Sequence, residues 1–152
     1  MKKESIQIYP TSLLPTPLGC AMFLSDGDKV VLMYIDPSIG ASMNDALRKE
    51  KAERPQSHDC FHSIINAFGG EMIGAHLVKE EDEVFYAIAT FQIVNEVMEK
   101  KIVQVDCRPS DCISMAVRAD IPIFCVREVW EKQPDMSHLL EELNAQIDAS
   151  HD

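Results

Sequence analysis

The chain has 152 residues, 46% hydrophobic and 26% charged, the profile of one globular domain long enough to bury a core without disulfide or metal staples. Lys plus Arg number 14 against 25 Asp plus Glu, a net charge of −11. An excess of negative charge repels phosphate backbones and excludes broad, non-specific nucleic-acid binding over the whole surface.

Ile6 to Tyr9 alternates apolar and polar residues and reads as a strand, followed by a Pro-rich connection to Pro17. Gly19–Leu24 and Lys29–Ile35 flank Ser25-Asp26-Gly27-Asp28, a hairpin signal because Asp-Gly tolerates positive φ. Asp36-Pro37 breaks the strand, and a helix is expected from Ser42 to Lys51. A second helix starts near Ser57, with Cys60, Phe61, Ile64, Ile65 and Phe68 as one apolar stripe, and stops at Gly69-Gly70. Met72–Val78 and Val84–Val94 are strands about the polar turn Lys79–Glu83, and Lys101–Asp106 is another. Pro109 opens a third helix with Cys112, Ile113, Ala116 and Val117 on one face. Ile121–Val126 is a short strand. After Pro134, Met136, Leu140, Leu143 and Ile147 recur at helical spacing.

Strands that form hairpins yet alternate with helices predict an α+β fold with a mixed or antiparallel sheet. Residues 1–130 form the expected domain. Residues 131–152 form an acidic C-terminal helical tail with six acids and one base, whose apolar stripe either packs on the domain or pairs with a partner.

Five cysteines without CxxC spacing argue against a zinc ribbon or a disulfide framework and fit a reducing compartment. Met1-Lys2-Lys3-Glu4 is charged but leads into no apolar signal segment, and no stretch reaches the length of a membrane span. The expectation is a cytoplasmic protein without a membrane partner.

One internal echo stands out. Arg54-Pro55-Gln56-Ser57-His58-Asp59-Cys60 opens the second helix, and Arg108-Pro109-Ser110-Asp111-Cys112 opens the third, which suggests a duplicated strand–helix unit. Ser57 and Ser110 are expected N-caps, Asp59 and Asp111 sit where the helix dipole favours negative charge, and Arg54 and Arg108 can fork onto them. That network explains itself without any substrate. The same residues also suit chemistry. Asp59, Asp106 and Asp111 offer hard oxygen ligands for Mg²⁺ or Mn²⁺, His58 a further ligand or general base, and Arg54 and Arg108 a hold on phosphate. His58 and His62 have zinc spacing but no third ligand, and no Walker loop, GxGxxG or GxSxG is present.

His58-Asp59 after Arg54-Pro55, and above all Asp106-Cys107-Arg108-Pro109-Ser110-Asp111-Cys112-Ile113, resemble the bifunctional nuclease domain family. Val84-Phe85-Tyr86-Ala87 and Ile121-Pro122-Ile123-Phe124 support the resemblance, which covers about residues 5–130. It implies an α+β domain, often oligomeric, acting as a nuclease on DNA and RNA. It also implies a site at Arg54, His58, Asp59, Asp106, Arg108, Ser110 and Asp111, and a homo-oligomeric partner. The chain departs from the family pattern at Asp36, where glycine is usual, and at Ile39, where glutamate is usual. Two readings therefore stand. One is metal-assisted hydrolysis of phosphodiester bonds in nucleic acid. The other is a non-catalytic, oligomeric assembly module in which the Arg–Asp–His network is structural.

Overall fold

The computed structural model describes residues 3–152, so Met1 and Lys2 of the charged start lie outside the described residues. Strands β1 (Ser5–Thr16), β2 (Gly19–Ser25) and β3 (Val30–Ile35) form an antiparallel meander, followed by helices α1 (Pro37–Leu47) and α2 (Ser57–Ala67). A second meander, β4 (Gly70–Glu81), β5 (Val84–Val94) and β6 (Lys100–Cys107), leads into α3 (Pro109–Ala119). Strand β7 (Ile123–Val126) and helices α4 (Arg127–Glu131) and α5 (Ser137–Ser150) complete the chain. The sheet order is β3-β2-β1-β7-β4-β5-β6. β7 is antiparallel to β1 and parallel to β4, so it joins two meanders of identical connectivity. The fold is α+β.

The hairpin at residues 26–29 forms because Asp26 Oδ1 accepts from the Asp28 and Lys29 amides (3.0 and 2.8 Å) while Gly27 takes φ +105°, a conformation open to glycine. The Pro-rich stretch expected as a connection is instead strand. β1 changes partner along its length, pairing with β7 through residues 5–8 and with β2 from Tyr9 onward, with an irregularity between Pro10 and Ser12. Beyond that switch one side of β1 carries no neighbouring strand, so prolines cost no ladder hydrogen bond there.

The core is built from Ile8, Met22, Phe23, Leu24, Met43, Met72, Leu77 and Ile113, each almost fully buried. Burying each such side chain contributes on the order of 1.5–3 kcal/mol before entropy is counted. Five consecutive residues of β2, Cys20–Leu24, are buried, so both faces of that strand are covered. α1 packs on β1 and β2, α3 on β4 and β5, and α3 also touches α1 and α2. Trp130 of α4 is buried, and its Nε1 donates to Asp26 Oδ2 at 2.9 Å.

Two helices differ from expectation. α1 begins at Pro37, not Ser42, because Asp36 caps it: Asp36 Oδ1 accepts from the Ser38 amide at 2.8 Å, and Pro37 takes the first helical position. Of the stripe of α2, Ile65 packs against the core and most of the rest does not. Phe61, Ile64 and Phe68 are exposed, and His58 is the buried residue of that helix. No residue of α5 is buried. Among the described residues, no helix is long and apolar enough to cross a membrane.

Candidate active site

The two Arg-Pro openings coincide at their aspartates. In α2, Gln56 is the N-cap, so His58 and Asp59 occupy the second and third helical positions; in α3, Arg108 is the N-cap, so Ser110 and Asp111 do. Ser57 and Ser110 are thus inside their helices and not the expected caps. Gln56 and Asp59 instead form a reciprocal capping box, with the Gln56 amide donating to Asp59 Oδ2 at 2.9 Å. Ser110 is buried.

The register that aligns the aspartates separates the arginines. Arg108 stands three residues before Asp111 and reaches it, Nε to Oδ2 at 2.7 Å and Nη2 to Oδ1 at 3.3 Å. Arg54 precedes its helix by two further residues, is exposed, and makes no ion pair among the described residues. Its expected place on Asp59 is taken by Arg118, in the last turn of α3, which the sequence reading missed. Arg118 is nearly buried, 7% exposed, and its Nε lies 2.8 Å from Asp59 Oδ1. Its Nη2 donates to Ser42 Oγ at 2.6 Å and Gln56 Oε1 at 3.1 Å, and its Nη1 to the Ser114 carbonyl at 3.2 Å. One guanidinium thereby fastens α1, α2 and α3. The sequence offered only a partner within α3, Ser114 four residues earlier on the same helix face, and no pointer to Asp59.

His58 crosses from α2 to α3. Its Nε2 lies 2.9 Å from Asp111 Oδ1, and its ring meets Phe61 edge-on with centroids 5.4 Å apart. Burial pushes the Asp111 carboxyl up, but hydrogen bonds from Arg108 and His58 outweigh it and hold Asp111 below the usual aspartate value. Asp59 behaves likewise: burial raises it, and the Gln56 amide and Arg118 bring it below. With Asp111 ionised and acceptor-only, Nε2 of His58 is the donor in this contact. His58, Asp111 and Arg108 therefore form one chain running from buried to exposed, since Arg108 is 69% exposed.

Asp106 lies apart. On β6 it pairs across from Ile88, whereas its neighbours Val105 and Cys107 oppose Ala89 and Ala87, which are buried beneath α3. Side chains alternate along a strand, so Asp106 faces away from the helix starts. Among the described residues no three His, Cys, Asp or Glu side chains converge as a metal-binding group. Each carboxylate oxygen of Asp59 and Asp111 already accepts a protein hydrogen bond. As arranged, this donor set does not fit a resident Mg²⁺ or Mn²⁺. Nor do the two thiols flanking Arg108 favour the thiolate, because burial pushes Cys112 up to about 12 and raises Cys107.

Beside Arg108 opens a groove of about 680 Å³. Tyr34, Phe85 and Met136 contribute its walls, and Asp36, Glu80 and Glu83 its acids. The two N-cap residues Asp36 and Arg108 both line it, and each stabilises the charge of the other.

Comparison with known proteins adds a family and distant relatives. The sequence profile of the bifunctional nuclease domain matches residues 22–138. Two uncharacterized proteins of Mycobacterium tuberculosis, MT1877 of strain CDC 1551 / Oshkosh and Rv1829 of strain H37Rv, are each 28% identical over 102 residues. The aligned stretch covers 66% of this chain but only 56% of each relative. The chain thus spans little more than half the length of the curated relatives it matches.

Proposed function

The chain belongs to the bifunctional nuclease domain family, and from that membership we propose that it hydrolyses phosphodiester bonds of nucleic acid, DNA or RNA, at the start of α3. The observation that supports this most is the chain His58–Asp111–Arg108, in which a carboxylate orients an imidazole and an arginine stands exposed beside it. Asp111 fixes the His58 tautomer, so Nδ1 takes a proton from the attacking water, or from a ribose 2′-hydroxyl in RNA. The oxygen so activated bonds to phosphorus while the bond to the leaving oxygen breaks, and that oxygen takes its proton from solvent. Arg108 offers Nη1, which has no protein partner among the described residues, to the phosphate and offsets its developing charge. Because the carboxylates do not converge, no step is routed through a metal.

Incubation of the protein with labelled single-stranded RNA and DNA, in Mg²⁺, Mn²⁺ or EDTA, tests this reading. Cleavage under all three conditions is expected. Cleavage only with metal would mean that Asp59, Asp106 and Asp111 rearrange around an ion, and no cleavage would leave the assembly-module reading. One observation favours that second reading: His58 is 4% exposed, as a structural histidine is, whereas a general base must reach the attacking water.

A further inference from the structure

β3 ends the sheet order, so one of its edges has no neighbouring strand. The chain shows which backbone groups point outward there. The Val30 carbonyl accepts from the Met136 amide at 2.7 Å, and the Val30 amide donates to Asp135 Oδ1 at 3.1 Å. Both polar groups of Val30 therefore face away from β2. In an antiparallel pair that orientation alternates, so Leu32 and Tyr34 share it while Val31, Met33 and Ile35 bond to β2. Among the described residues no loop or side-chain hydrogen bond reaches the amides and carbonyls of Leu32 and Tyr34. The groove of about 680 Å³ runs along this edge, lined by all of Val31–Ile35 and walled opposite by the β4–β5 turn.

We propose that the β3 edge takes up an extended peptide of a partner protein as an added strand, one in which apolar residues alternate with Lys or Arg. The segment Asp135–Met136 already occupies the first rung, and a bound peptide would continue along it to Tyr34. Main-chain hydrogen bonds to Leu32 and Tyr34 would hold the strand, and the groove would take alternate side chains. Charge selects the occupant. Among the lining residues Asp36, Glu80 and Glu83 face a single base, Arg108, which favours a basic peptide over a nucleic acid strand. A second copy is disfavoured because the chain carries a net charge of −11 and would bring like charge to an acidic groove. This inference rests on the edge geometry and not on the nuclease reading, but Arg108 lines the groove, so a bound peptide would compete with a phosphate there.

The test is a titration of the ¹⁵N-labelled full chain with an acetylated, amidated six-residue peptide alternating lysine and valine, with amide exchange read residue by residue. Saturable binding that slows exchange at Leu32 and Tyr34 by roughly tenfold or more is expected, with no binding of the matching glutamate–valine peptide. The Glu80→Lys/Glu83→Lys protein should bind roughly tenfold more weakly. Leu32→Pro, which removes one outward amide from an edge where proline is tolerated, should abolish binding while the melting transition persists. The proposal is overturned if the peptide does not bind or if it binds without slowing exchange at Leu32 and Tyr34. Slowed exchange there on adding oligothymidylate instead would also overturn it.

Discussion

His58 Nε2 and Asp111 Oδ1 lie 2.9 Å apart although 53 residues separate them in the chain. The contact joins the second helical position of α2 to the third of α3, so the two helix starts share one hydrogen-bonded chain. A residue elsewhere, Arg118, ties the same two helices together through Asp59 and Gln56 on α2 and Ser114 on α3.

Arg118→Met should therefore be costly. It strands Asp59, Gln56 and Ser42 without their shared donor. Arg118 is nearly buried but Asp59 is 41% exposed, so the screened pair and the lost hydrogen bonds together cost about 1–2 kcal/mol. Urea denaturation reads this directly. Arg118→Lys should recover only part of the loss, because an ammonium cannot bridge three helices as a planar fork does.

Stability should also fall in acid, with a known sign. Asp59 and Asp111 titrate below the ordinary aspartate value of 3.8, so the native state favours their charged forms. Their contribution is complete above that ordinary value and is lost as pH falls through the lowered folded values. Thermal melts across the acid range should show it, and the Asp111→Asn protein should show a weaker dependence than the parent.

Gly40→Ala tests the seat of α1 on β2. A Cβ at Gly40 would lie 2.7 Å from Cys20 Cβ and closer still to its Sγ. With Cys20 buried, relief requires a shift of helix against strand, costing about 1–3 kcal/mol. Calorimetry should show the loss, and adding Cys20→Ala should restore part of it by removing the sulfur.

Much of this was legible in the sequence. The Asp-Gly hairpin, the Pro109 helix start and the Arg108–Asp111 contact follow from local rules, because each partner lies within a few residues of the other. The α+β class followed from hairpins mixed with helices. The misses share a cause in tertiary context. Pro10 sits within strand because β1 changes partners there. The α2 stripe reads as core, yet Phe61, Ile64 and Phe68 remain exposed. Arg54 looked equivalent to Arg108 by spacing, but two inserted residues, Gln56 and Ser57, carry it outside the helix. Arg118 lies 59 residues from Asp59, and no local pattern announces that pairing.

The central claim is that Asp111 orients His58 for phosphodiester cleavage, and the most direct measurement is cleavage of labelled single-stranded RNA and DNA by the Asp111→Asn protein. The substitution preserves shape and changes the group that fixes the imidazole tautomer. The account predicts a fall in kcat of roughly 10²–10⁴-fold, with the melting transition retained. Cleavage unchanged in a folded Asp111→Asn protein would contradict the account.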